Sequence, residues 1–155
     1  MGQLYSAVFT GVAVTAQQDF FELNAASTKA VRIHRVVIGQ SSDAGDAQAE
    51  VLAISFVRGY TTSGSGGSAP TPQKLATGLA AAASTVEVNN TTVANTGTAS
   101  VLESDTFNAQ VGYRYQPTPE ERIELAPSER LVVRLGTTPA DSLTMSGTLV
   151  FEEIG

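Results

Sequence analysis

Ser142-Leu143-Thr144-Met145-Ser146-Gly147-Thr148-Leu149-Val150-Phe151 alternates apolar and polar side chains. Leu143, Met145, Leu149 and Phe151 fall on one face, and Thr144, Ser146 and Thr148 on the other. That is the period of a strand with one face buried and one wet. Upstream, Leu131, Val133 and Leu135 alternate with Val132 and Arg134, and Ile123 and Leu125 with Arg122 and Glu124. Ala126-Pro127-Ser128-Glu129 between them is turn chemistry. Residues 106–115 read as one strand, with Phe107, Ala109, Val111, Tyr113 and Tyr115 opposite Asn108, Gln110 and Arg114. The expected core of this half is Phe107, Val111, Ile123, Leu125, Leu131, Val133 and Leu135, with the four apolar residues of 142–151.

Toward the N-terminus the same period continues through residues 4–9, 20–23, 31–38, 50–60, 86–90 and 100–104. Only residues 43–48 and 79–83 suggest helical turns, and both are too short to hold a helix alone. About eight to nine short strands in 155 residues predict an all-β, antiparallel two-sheet sandwich, jelly-roll-like. Residues 1–155 read as a single domain. Its one low-complexity stretch, at about residues 61–72, reads as a flexible Gly/Ser surface loop.

Composition excludes several functions. Only 15% of residues are charged, the net charge is −6, and Lys29 and Lys74 are the only lysines. A nucleic-acid partner requires clustered Lys and Arg, so none is expected. Cysteine is absent, which removes disulfides, thiolate metal sites and thiol catalysis. The N-terminal residues lack a basic segment followed by an apolar run, so no signal peptide is expected. No apolar stretch approaches the ~18 residues of a membrane span, so no membrane partner is expected.

The chemistry search is nearly empty. His34, the single histidine, has no carboxylate close in sequence to orient it, and reads as an ordinary sheet residue. Asp43, Asp46 and Glu50 do not have the spacing of a calcium loop. Residues 59–65 lack the phosphate-loop lysine. Glu120-Glu121 and Glu152-Glu153 are adjacent pairs, which on a strand point to opposite faces. Asn89 and Asn90 fit the glycan-acceptor pattern, read here as chance. No catalytic residue, cofactor or metal is expected. What remains is contact chemistry, since Tyr and Arg are enriched in interface cores. The candidates are Gly2, Gln3, Leu4 and Tyr5; Arg58 and Tyr60; Ser63, Gly64, Ser65, Gly66 and Gly67; and Tyr113 with Tyr115.

Residues 38–48, Ile38-Gly39-Gln40-Ser41-Ser42-Asp43-Ala44-Gly45-Asp46-Ala47-Gln48, resemble small proteins encoded beside tailed-phage structural genes. Val57-Arg58-Gly59-Tyr60-Thr61-Thr62-Ser63-Gly64-Ser65-Gly66-Gly67 and the run from 142 to 153 are similar to them too. The resemblance is to the decoration (cement) proteins of phage capsids. It implies a jelly roll, a homotrimer, a major capsid protein as partner, and a place on the virion's capsid surface after synthesis in the host cytoplasm. It further implies attachment through an N-terminal arm or a long loop. The alternatives are a phage tail or receptor-binding module, a non-viral lectin-like binding domain, and an enzyme. The absence of Trp and an aromatic content of 6% weigh against a sugar-binding platform.

Overall fold

Alternation turns into architecture through pairing. In the computed structural model, which describes residues 2–42 and 50–155, the described chain forms eleven strands. They are β1 (Gln3–Val14), β2 (Gln18–Asn24), β3 (Ala30–Gln40), β4 (Val51–Tyr60), β5 (Gln73–Lys74), β6 (Thr85–Asn90), β7 (Gly97–Asn108), β8 (Tyr113–Tyr115), β9 (Glu124–Leu125), β10 (Arg130–Leu135) and β11 (Leu143–Ile154). One sheet has the order β5-β1-β11-β3-β8, with β9 beside β8 on the same edge of β3. The other has the order β6-β2-β10-β4-β7. All pairs are antiparallel.

Within these orders lies the jelly roll. The inner sets β1-β11-β3-β8 and β2-β10-β4-β7 are two four-stranded sheets between which the chain passes back and forth. The strands added to them are β5, β6 and β9. β5 and β6 come from the long insertion after β4 and extend one side of each sheet. The count exceeds eight or nine because the two-residue β5 has no period to detect and because residues 106–115 divide between β7 and β8.

The core follows the register. Leu143, Met145, Leu149 and Phe151 are essentially inaccessible, as are Leu125, Leu131, Val133 and Leu135, while Phe107 is 6% exposed. Ile123 packs only partly buried against this core. Phe20 and Phe21 are neighbours in sequence, yet both are fully buried. A register shift opposite Val133 and Arg134 turns both toward the interior. Phe9 then lies 5.9 Å from Phe20 and 5.3 Å from Phe21 between ring centroids, joining the two sheets. Burying each such ring stabilises the fold by about 1.5–3 kcal/mol.

Residues 106–115 are not one strand. β7 ends at Asn108 and β8 begins at Tyr113. Between them, the amides of Val111 and Gly112 both donate to the Asn108 carbonyl at 3.0 Å, and Gln110 N donates to Asn108 Oδ1 at 2.9 Å. Gly112 has φ +83°, and a Cβ there would stand 2.7 Å from the Ile38 carbonyl oxygen. The turn carries the chain from one sheet to the other and leaves Val111, expected in the core, 84% exposed. No helix among the described residues is long and apolar enough to cross a membrane.

Candidate functional site

The N-terminal segment is not a free arm. Gln3, Leu4 and Tyr5 belong to β1 and pair with Glu153, Glu152 and Phe151 of β11, and Gly2, just before them, is half-buried. Tyr5 is fully buried, its ring 5.7 Å from that of Phe151. Its hydroxyl donates to Gln3 Oε1 at 2.6 Å, with the Ala80 carbonyl at 3.1 Å. Burial, reinforced by the charge of Glu153, raises its pKa. Tyr5 is a core residue whose hydroxyl is satisfied inside the chain.

The Gly/Ser loop lies on the surface but is tied down. Ser65 and Thr92 exchange two backbone hydrogen bonds at 2.9 Å, and Ser68 and Val88 do the same at 3.0 and 2.7 Å. Gly64 N donates to both Glu22 oxygens at 3.0 and 3.1 Å, and Gly67 N to Asn90 Oδ1 at 3.1 Å. The glycines permit this close approach: a Cβ at Gly64 would stand 2.1 Å from the Thr92 carbonyl oxygen, and one at Gly67 2.0 Å from that of Val88. The Gly content that suggested freedom therefore serves contact. Ser63 is half-buried, whereas Ser65 and Gly66 stay exposed.

Beneath the loop is a buried polar network on the outer face of β2. Asp19 is 0% and Glu22 2% exposed. Arg134 clasps Asp19 through Nε at 2.6 Å and Nη2 at 3.0 Å, and donates from Nη1 to the Tyr60 hydroxyl at 2.7 Å. Ala94 N donates to Asp19 Oδ2 at 2.8 Å, and Asn90 Nδ2 to Glu22 Oε1 at 2.8 Å. Burial raises the Glu22 pKa; its hydrogen bonds from Asn90 and Gly64 act against that, and the neighbouring Asp19 adds to it. Tyr60 is thus an internal partner of Arg134, while Arg58 remains half-buried on β4 opposite Ser100.

Tyr113 and Tyr115 open onto a different place. On β7, Glu103 lies opposite Phe56 and Asp105 opposite Ile54, both core residues. Residues directly opposite share a face, so both carboxylates are on the inner face of the sheet. Tyr113 and Tyr115 lie opposite Ile38 and Val36 and face inward from the other sheet. Between the two edges the sandwich opens into a cleft of about 520 Å³. Glu103, Asp105 and Glu121 line it with both tyrosines, Arg114 and Gln116. Arg114 Nη1 donates to Gln116 Oε1 at 3.0 Å. Tyr115 stacks on Phe56 at 4.6 Å, and Tyr113 sits 5.7 Å from Phe107. Burial, with Asp105 and Glu103 adding to it, pushes the Tyr113 phenol up to about 12. Tyr115 is shifted up as well, chiefly by burial.

This cleft was not legible as a site in the sequence, where Glu103 and Asp105 are two carboxylates in a polar strand. The same holds for the partner of His34: Glu152 Oε2 lies 2.8 Å from its Nε2, brought there by the β3–β11 pairing. Arg32 reaches that same oxygen at 3.7 Å and Glu124 at 2.6 Å, making a surface charge network. Glu153, on the opposite face from Glu152, accepts from Ser84 N at 2.6 Å. The side chains of Asn89 and Asn90 are buried, and Asn90 is occupied by Glu22 and Glu87. Asp43 and Asp46 lie outside the described residues, and Glu50 accepts from Ala140 N. Among the described residues no three His, Asp or Glu side chains converge as metal ligands. Compared with protein-family models, with curated proteins and with solved structures, the chain matches none of them.

Proposed function

We propose that the protein is a non-catalytic attachment module: a virion structural protein that seats on the outer surface of a phage shell and stabilises it. Its partner in this reading is the major capsid protein, and it binds as a homotrimer. Fold alone assigns no function. The observation that carries the reading is the cleft between β7 and β8. A sandwich built only for stability has apolar residues on its inner faces, yet here two carboxylates stand on an inner face, in a recess open to solvent. The resemblance of residues 57–67 and 142–153 to decoration proteins adds the shell as the surface to which it attaches.

The mechanism is thermodynamic. A subunit that binds the assembled lattice and not its dissociated parts stabilises the lattice by mass action. Linking three such contacts in one trimer raises the effective affinity without a new contact. The test compares the rupture temperature of purified shells with and without stoichiometric protein. A higher rupture temperature in decorated shells is expected. Equal temperatures would overturn the reading and favour the tail or receptor-binding alternative.

A further inference from the structure

We propose that the cleft between β7 and β8 receives an arginine side chain from the partner protein, recognised by Glu103, Asp105 and the hydroxyl of Tyr113. The attachment reading supplies the presenting protein; the chemistry of the cleft stands apart from it.

Three features converge on a planar cation. First, Glu103 and Asp105 are two residues apart on one face of a strand, about 6–7 Å along the cleft wall, and Glu121 adds a third carboxylate. Against these stands one guanidinium, Arg114, already held by Gln116. The whole chain carries −6, so its field draws cations toward this recess. Second, Tyr113 is 7% exposed and lines the cleft, and its hydroxyl is not among the buried polar atoms sealed from solvent without a partner, so it opens onto the cleft. A phenylalanine would pack as well against Phe56 and Phe107, whereas tyrosine puts an oxygen in the cleft where a donor from outside reaches it. Third, the carboxylates do not converge on a point as metal ligands do, which suits an extended organic cation. Guanidinium offers five donors in a plane, matches carboxylates in pairs and stacks on aromatic faces.

Protection of the sheet edge is the competing explanation for inward charges on β7. Two register shifts already interrupt its ladder, at Phe56/Val57 and at Arg58/Tyr60. Edge protection also does not account for a phenol oxygen placed in the cleft.

The test measures fluorescence anisotropy of a labelled tri-arginine peptide with the full chain at low ionic strength, beside the neutral tri-citrulline peptide. Tri-arginine is expected to bind and tri-citrulline not. E103Q/D105N should weaken binding at least tenfold, and Tyr113→Phe several-fold. E124Q/D141N, which removes the same charge elsewhere on the surface, should change it less than twofold. Equal binding of the two peptides, equal loss in the two double variants, or no binding of tri-arginine would overturn the proposal. Tyr113→Phe carries the test if the double variant aggregates. Shells separate the two readings. Peptide binding without shell binding removes the attachment reading alone, and shell binding unchanged in E103Q/D105N removes the arginine cleft alone.

Discussion

Glu22 is the most informative residue to perturb, because its surroundings fit one protonation state better than the other. Its Oε1 accepts from Gly64 N at 3.0 Å and from Asn90 Nδ2 at 2.8 Å. Asp19 lies on its other side and raises the Glu22 pKa by charge and by hydrogen bonding. Asp19 is itself committed as a carboxylate to Arg134 and Ala94 N. A protonated Glu22 donating to Asp19 satisfies every group. Glutamine reproduces that pattern, accepting through its oxygen and donating to Asp19 through its amide. Glu22→Gln is therefore expected to keep or raise stability at neutral pH. Glu22→Ala leaves the Gly64 and Asn90 donors unpaired beneath the loop, at about 1–3 kcal/mol each. Asn90 keeps its bond to Glu87, so the total is about 2–4 kcal/mol, a fall in Tm of roughly 5–15 °C for a chain of this size. The pH dependence has a definite sign. A carboxyl whose pKa is raised on folding stabilises fully below its unfolded pKa, and that contribution is lost as pH rises through the folded value. The advantage of Glu22→Gln over the parent should thus grow from mildly acid to neutral pH in denaturant melts. If Glu22→Gln destabilises as much as Glu22→Ala at neutral pH, the charged form is the one the network uses and the reasoning is wrong.

Arg134→Met should cost about 3–5 kcal/mol at neutral pH, because Asp19, 0% exposed, is left as an unpaired buried charge; thermal melts of the variant beside the parent check it. Gly67→Ala places a Cβ 2.0 Å from the Val88 carbonyl oxygen, so amide exchange at Ser68 and Val88 should accelerate while the core amides of β11 keep their protection. Leu149→Ala, at a fully buried site, should cost about 2–5 kcal/mol, whereas Val111→Ser, at a position 84% exposed, should change stability by less than about 0.5 kcal/mol in urea titrations.

Side-chain direction along a strand is a local property with a period of two, which is why Leu143, Met145, Leu149 and Phe151 could be assigned to one face from sequence alone. The all-β class and most of the core follow from the same rule. Residues 106–115 depart from a single strand for a local reason: Asn108 and Gly112 are turn residues inside an alternating pattern, and their turn overrides the alternation. Burial and partnership are not local. Asp19 and Glu22 are charged residues of β2 that composition alone assigns to water, and they are buried where Ala94 and Gly64 from distant loops reach back to them. The glycines of the Gly/Ser loop read as flexibility until the carbonyl oxygens of Thr92 and Val88 stand too close to admit a Cβ at Gly64 or Gly67. His34 acquires Glu152 across a strand pair spanning 118 residues. The cleft itself exists only because β7 and β8 end as edges of different sheets, with Glu103 and Asp105 on the face that alternation shares with Phe107. A sequence specifies which way each of these side chains points; what it points at is decided by segments far along the chain, through the order in which the strands pair.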